Sequence, residues 1–335
     1  MKQYLDVLRD IRENGETSTD RTGVGTLRIP GAAMRFDLEK GFPILTTKKI
    51  PFRILVAELL WFIRGDTNVR TLVLQNCHIW DGNAFGQFLV KYGNTFGIMT
   101  SSAAQALIRQ INNGTAEQWQ KDLWKEKMEW FINLIRNDEE FARVYGDLGP
   151  VYGAQWRRWG ANSRDVPIDQ LCDALNLIRW NPDSRRIIIS AWNPEDVPKM
   201  ALPPCHCLFQ FLVINGKLNL NLYQRSCDTF LGVPFNITSY AALLALVAHV
   251  MGLRPGSLFH VLGDAHIYLN HLDQVDEQLS REPRSLPKLW LNPEKIYRDD
   301  TIGTRPIDVL GSFAAEDIKL EGYESLGAIK APMAV

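Results

Sequence analysis

Leu208-Phe209-Gln210-Phe211-Leu212-Val213-Ile214-Asn215-Gly216-Lys217-Leu218-Asn219-Leu220-Asn221-Leu222 is the stretch that decides the fold. Its first half is an apolar run, and its second half alternates Leu with Asn at the two-residue period of a half-buried strand. Between them, Asn215-Gly216 is the dipeptide that most readily supplies the positive φ angles of a tight hairpin turn. A β-hairpin is therefore expected here. Upstream, Arg186 to Trp192 is rich in β-branched residues and bounded by Pro182-Asp183-Ser184 and Asn193-Pro194, which predicts a third strand. Downstream, Asn236 to Leu253 predicts the most apolar helix, with Gly252 near its end, and it should be central. Lys2 to Arg12 places Tyr4, Leu5, Leu8 and Ile11 at helical spacing before Gly15. Pro51 opens a largely buried helix that carries one acid, Glu58, and ends before Gly65. These elements alternate irregularly rather than as βαβ units, so the expected class is α+β, with a mixed, mainly antiparallel twisted sheet packed by helices.

The 335 residues contain no internal repeat, low-complexity tract or Pro/Gly/Ser linker, which predicts one domain over residues 1–335. Residues 85–140 are polar and Gln/Asn-rich and read as an insertion, with a helix from Glu117 to Arg136 displaying Trp119, Leu123, Trp130 and Leu134. With 46% hydrophobic and 22% charged residues, the composition excludes collagen-like, disordered and coiled-coil chains. A net charge of −1 supplies no basic field, so no nucleic-acid partner is required and any anion must be held locally. The longest apolar run, Ala241 to Val250, is half the length of a membrane span and no secretory signal is visible, so a cytoplasmic location is expected. The five scattered cysteines are expected to be free thiols.

Leu202-Pro203-Pro204-Cys205-His206-Cys207 places a cysteine after two prolines that restrict the backbone and beside an imidazole, a setting for a usable thiolate. The alternative is a small core residue. Metal binding is not expected, because no second Cys/His pair sits at zinc-site spacing. Arg21, Arg185-Arg186 and Arg225-Ser226 combine guanidinium groups with a hydroxyl, the donors that suit a phosphate dianion, although surface arginines are equally a solvated feature. Asn236 is either the N-cap of the apolar helix or an amide able to pair with a heterocyclic imide edge. His260 to His271 concentrates hydrogen-bonding groups beyond what packing requires.

Together these residues identify a resemblance to the folate-dependent thymidylate synthase family along essentially the whole chain outside residues 85–140. It rests on Asp20-Arg21-Thr22-Gly23, Glu58-Leu59-Leu60-Trp61, Asp147-Leu148-Gly149-Pro150-Val151-Tyr152-Gly153, Asp183-Ser184-Arg185-Arg186 and Pro204-Cys205-His206. Further on come Gln224-Arg225-Ser226-Cys227-Asp228, Leu231-Gly232-Val233-Pro234-Phe235-Asn236, Asp264-Ala265-His266-Ile267-Tyr268 and the tail Ile329 to Val335.

The resemblance implies conversion of dUMP to dTMP, with 5,10-methylenetetrahydrofolate giving carbon and hydride. It makes Cys205 the nucleophile at carbon 6 of uracil, with Arg225 favouring its thiolate, and Glu58 a proton-handling acid. Arg21, Arg225 and Ser226 would hold phosphate from one subunit, and Arg185 and Arg186 from the other, which implies a homodimer that uses the sheet face as its interface. Asn236 would bond O4 and N3–H of uracil, and His266 and Tyr268 the 3′-hydroxyl. Tyr152 and Asp228 would serve the carbon 5 proton and the folate ring, and Asp228 also lies against the nucleotide. Lys48, Ile79, Trp80, Gly232, Phe235 and the terminal Val335 would contact folate, and no metal is implied. Gly82-Asn83 stands where the family commonly has an acid and a second tryptophan, so a looser wall beside Trp80 is expected. A pyrimidine-nucleotide hydroxymethylase, adding water in place of hydride, is the alternative.

Overall fold

A computed structural model describes residues 1–19, 23–112, 114–161, 163, 165–298 and 303–331; Arg21 and Val335, both assigned above, lie outside them. Among the described residues the strands are β1 (Glu16–Ser18), β2 (Thr26–Asp37), β3 (Ile188–Ser190), β4 (His206–Ile214), β5 (Lys217–Asp228), β6 (Arg254–Tyr268), β7 (Lys288–Leu291) and β8 (Ile318–Glu321). Asn215 and Gly216, at φ 51° and 71°, close the β4–β5 hairpin as the sequence predicts. The main sheet runs β1-β2-β6-β5-β4-β3, with β5 and β6 parallel and every other pair antiparallel. The mixed, mainly antiparallel sheet and the α+β class expected above are thus observed. β7 and β8 form a separate antiparallel pair.

One face of the main sheet is buried throughout: Met34 and Phe36 on β2, Leu258 and Leu262 on β6, Leu218, Leu220 and Leu222 on β5, and Phe209 and Phe211 on β4. The helix Gly232–Val250 packs on β5 and β6, and the helix Lys2–Asn14 on β2. The period-2 pattern puts Ile188, Leu208 and Tyr223 on the opposite face, where they stay exposed. The central helix is long and apolar enough to cross a membrane by length and composition, and most of it is packed inside the fold. Its buried stretch is longer than the ten-residue run suggests, because Val233, Pro234 and Ile237 continue it in the N-terminal direction. The five cysteines are free, as expected.

Three local readings change. The third strand shrinks to Ile188–Ser190, because Ala191 and Trp192 both donate to Cys207 O and so end the regular ladder. Asn236 is not an N-cap: the helix begins at Gly232, and the Asp228 carboxylate accepts from Phe230 N (3.2 Å) and Leu231 N (3.0 Å) in the turn that introduces it. In residues 85–140, the helix Gln118–Asn137 buries Phe131 and Ile135, while Trp119 and Trp130 are exposed. Phe85 and Phe88 of the helix Asp81–Tyr92 settle that register, since both pack against Phe131.

The helix Phe52–Ile63 carries Glu58, and the short helix Tyr152–Arg157 is pressed onto its end. Arg157 donates to Ile63 O (2.6 Å) and Arg158 to Gly65 O (2.6 Å), satisfying carbonyls that a helix C-terminus leaves open. Arg157 is itself held by Asp169 at 2.9 Å. Gly153 makes the approach possible: a Cβ there would lie 2.6 Å from Asp66 O. Gly153→Ala is therefore expected to destabilise the protein by about 1–3 kcal/mol through overpacking. Urea unfolding measures this, and a stability equal to wild type would contradict the packing described.

Candidate active site

Pro203 and Pro204 have no amide hydrogens, and their carbonyls both accept from one guanidinium: Arg225 Nε to Pro204 O at 2.9 Å and Nη2 to Pro203 O at 3.1 Å. Arg225 N also donates to Cys205 O at 2.8 Å, and Cys205 N donates to Tyr152 Oη at 2.8 Å. The backbone on both sides of Cys205 is thus fixed, with the residue half-buried. The remaining thiols are poorly suited to ionise. Burial pushes Cys77 up to about 12 and raises Cys207, Cys227 and Cys172 as well.

Above Cys205 stands an aromatic wall. Tyr152 stacks on His206 (centroids 4.1 Å, 17° between planes) and meets Phe62 and Trp80 at 4.8 Å and 6.2 Å. Burial raises the Tyr152 hydroxyl well above its ordinary pKa and lowers His206 to about 3, so both are neutral near pH 7. Trp80 donates Nε1–H to Glu58 Oε1 at 2.7 Å. Desolvation nevertheless raises Glu58 to about 7, against which the Trp80 bond works in the opposite direction.

Gly232, Asn236 and Tyr240 recur every fourth residue and so share one face of the central helix. Glu58, Phe62, His206, Asn236, Ser239 and Tyr240 line a single cavity of about 10 Å³, and Tyr240 Oη lies 2.8 Å from His206 Nδ1. Next to this face, the missing side chain of Gly232 leaves space: a Cβ there would lie 3.6 Å from Asp228 Cβ and 3.9 Å from Asn236 Oδ1. Asp228 in turn pairs in register with His266 across β5–β6, and Ser226 with Asp264. His266 lies edge-on to Tyr268 at 5.4 Å. Ile79 and Phe235 are partly buried against the same core.

Glu58, Trp80, Tyr152, Cys205, Arg225, Asp228, Gly232, Asn236 and His266 are therefore linked by contact, shared cavity or strand register. Lys48, which the resemblance makes a folate contact, sits against the turn that introduces the central helix. It is buried, donates to Phe230 O and lies 3.6 Å over the Phe230 ring. Desolvation lowers it to about 7, partly offset by Asp228. Arg185 and Arg186 are exposed and belong to another region: Ile188 pairs with Gln210, five residues from Cys205, roughly 16 Å of extended strand. Sequence reading missed Tyr240 and Trp192, whose ring lies 5.2 Å from the Arg225 guanidinium carbon. The i+4 spacing from Asn236 was the available signal for Tyr240. Among the described residues no group of three or more His, Cys, Asp or Glu side chains could hold a metal ion.

A half-buried cysteine on a fixed backbone, near a carboxyl raised to about 7 and a side-chain amide, is an arrangement suited to nucleophilic catalysis. The chain belongs to the thymidylate synthase family, whose sequence profile it matches over residues 2–335, and it is an enzyme. It is 49% identical over 337 residues to the thymidylate synthase of Listeria innocua serovar 6a, covering 100% of both chains. The thymidylate synthases of Listeria monocytogenes serotypes 4a and 4b match at the same identity and coverage.

The Glu58 shift has a consequence for stability. Its folded-state pKa lies above the ordinary carboxyl value, so between about pH 4.5 and 7 the folded protein retains a proton that the unfolded chain has lost. The protonated acid thus favours folding below pH 4.5, and this contribution is lost as pH rises through 7. Glu58→Gln removes the titration, so the variant should gain stability relative to wild type across that window and level off above it. Urea unfolding between pH 4.5 and 8 tests this; a pH-independent difference would contradict it.

Proposed function

We propose that this enzyme converts dUMP to dTMP with 5,10-methylenetetrahydrofolate as co-substrate and dihydrofolate as the other product, acting as a cytoplasmic homodimer. The observation that carries the reading is the fixed Cys205 backbone between Tyr152 and Arg225, in a chain matched end to end by thymidylate synthases. The family match favours the synthase over the hydroxymethylase.

Carbon 5 of uracil is a weak nucleophile. Addition of the Cys205 thiolate to carbon 6 places the electron pair in an enolate spread over carbon 5 and O4, and elimination of the same sulfur after methylation restores the double bond. Asn236 gives an N–H to O4 and accepts from N3–H, selecting uracil over cytosine, whose pattern is reversed. Glu58, with a pKa of about 7, can hold or release a proton near neutrality beside that amide. The neutral Tyr152 hydroxyl relays the proton lost from carbon 5. His266 and Tyr268 take the 3′-hydroxyl. Arg21, Arg225 and Ser226 hold the phosphate, joined by Arg185 and Arg186 of a second subunit.

The folate, when bound, supplies the one-carbon unit and the hydride. Asp228 lies beside Gly232, which has no side chain to cover it, and the carboxylate Oδ2 has no hydrogen-bond partner among the described residues, leaving an acceptor for a ring N–H edge. Ile79, Trp80 and Phe235 exclude water from that side, and the resemblance adds Val335 to the folate contacts. Lys48 gives one of its three ammonium hydrogens to Phe230 O, which leaves others for a folate carboxylate. Gly82, with no atom within 4 Å of a built Cβ, is consistent with a looser wall near Trp80. Residues 85–140 act as a family-variable insertion within one catalytic domain. Two features support the dimer: Arg185 and Arg186 stand far from Cys205 of their own chain, and Ile188, Leu208 and Tyr223 form an uncovered apolar sheet face.

Cys205→Ser should lower dTMP formation by about three orders of magnitude while leaving dUMP binding measurable; undiminished turnover would overturn the mechanism. Mixing inactive Arg185→Glu chains with inactive Cys205→Ser chains should restore part of the activity, because one site of each heterodimer has both residues intact. No recovery after verified subunit exchange would contradict the shared phosphate site.

A further inference from the structure

His260 is a fully buried imidazole to which neither the resemblance nor the proposed chemistry gives a task. Its side chain points to the core face of β6, level with Leu222 of β5, and Nε2 lies 2.9 Å from Gln224 Oε1. Gln224, also buried, donates Nε2–H to Ser226 O at 2.9 Å. That second bond orients the amide, since only its nitrogen can donate to a carbonyl. The amide oxygen therefore faces His260, and Nε2 of the imidazole must carry the proton. Nδ1 is then an acceptor, and this buried atom has no hydrogen-bond partner among the described residues. Burial lowers His260 to about 3, which keeps the ring neutral with this one N–H. Such a group acts as a directional peg.

We propose that His260 is a positioning residue for the nucleotide phosphate: through Gln224 it holds the Ser226 carbonyl, and with it the alignment of Arg225 and Ser226 at the C-terminal end of β5. This rests on the functional reading above, in which Arg225 and Ser226 bind phosphate. The β5–β6 ladder continues past this point, with Ser226 level with Asp264, but the buried side of β5 shifts here. Leu222 and Gln224 are buried with Tyr223 exposed between them, whereas Arg225 and Ser226 are both only partly buried. A peg from β6 to the Gln224 amide adds a side-chain reference point to that ladder where the buried side shifts. The backbone of Ser226 is then aligned from one side by Gln224, while the Arg225 guanidinium is engaged on the Pro203 and Pro204 carbonyls from the other.

The test uses the full-length protein, with dUMP affinity measured by calorimetry and KM, kcat and the unfolding temperature measured in parallel. His260→Leu removes the donor, and His260→Gln offers an N–H at the place of Nε2. His260→Leu should weaken dUMP binding and raise its KM about tenfold, with kcat changed less than about threefold, and His260→Gln should bring affinity back to within about threefold of wild type. A folded His260→Leu that binds dUMP like wild type would overturn the assignment, as would a folded His260→Gln that fails to restore affinity. Should His260→Leu not fold, Gln224→Glu tests the same link from the other partner. It keeps the volume and can still accept from His260, but sets a carboxylate oxygen against the Ser226 carbonyl. It should lose dUMP affinity about tenfold, and unchanged affinity would overturn the proposal. In each of these outcomes wild-type turnover of dUMP leaves the functional reading standing; wild-type protein that neither binds nor converts dUMP would overturn that reading and this inference together.

Discussion

The rest of the site depends on one guanidinium that serves a stretch of chain unable to hold itself. Two consecutive prolines leave the segment before Cys205 without donors, and its carbonyls lie inside the protein, where unmet acceptors cost roughly 1–3 kcal/mol each. Arg225 satisfies both, and its own amide fastens the carbonyl of Cys205. A rigid fork suits this task; a lysine ammonium would not reproduce two fixed directions. Because Arg225 lies on β5, the Asn215-Gly216 hairpin places the loop as well as the strand, and three residues further on Asp228 starts the turn into the central helix.

The second support comes from the opposite side of the cleft. Two arginines bind the open end of the Glu58 helix and draw Tyr152 close enough to accept the Cys205 amide, with Gly153 permitting the contact. The aromatic packing that results also excludes water around Glu58, which is why its carboxyl titrates near neutrality. Packing and acid–base properties are thus set by the same contacts. The neutral His206 and Tyr240 pair extends this low-dielectric wall to Asn236.

Much of this was legible in the sequence, for identifiable reasons. The hairpin, the opening helix and the Glu58 helix follow from local periodicity and turn chemistry, and each forms at its expected place. The long strands β2 and β6 escaped because Pro30, Gly31 and Gly263 interrupt their alternation. Asn236 read as a cap because local pattern could not show that the Asp228 carboxylate organises the helix start four residues earlier. Cys205, Glu58 and Asn236 were legible as a group through motif order. The burial of Lys48 and the engagement of Arg225 by proline carbonyls are tertiary facts, invisible to any spacing rule. The apolar face of the helix Gln118–Asn137 was ambiguous for a related reason: apolar residues surround much of it, and only the partners Phe85 and Phe88 choose the side.

The central claim is that, of the five thiols, Cys205 alone bonds to the substrate. Incubating the protein with 5-fluoro-dUMP and 5,10-methylenetetrahydrofolate tests it most directly, because fluorine cannot depart as the carbon 5 proton does and the adduct is trapped. Proteolysis and mass spectrometry then locate the added mass. The added mass is expected on Cys205 and on no other cysteine; an adduct on Cys77, Cys172, Cys207 or Cys227, or sustained dTMP formation from dUMP with no trapped adduct, would contradict this.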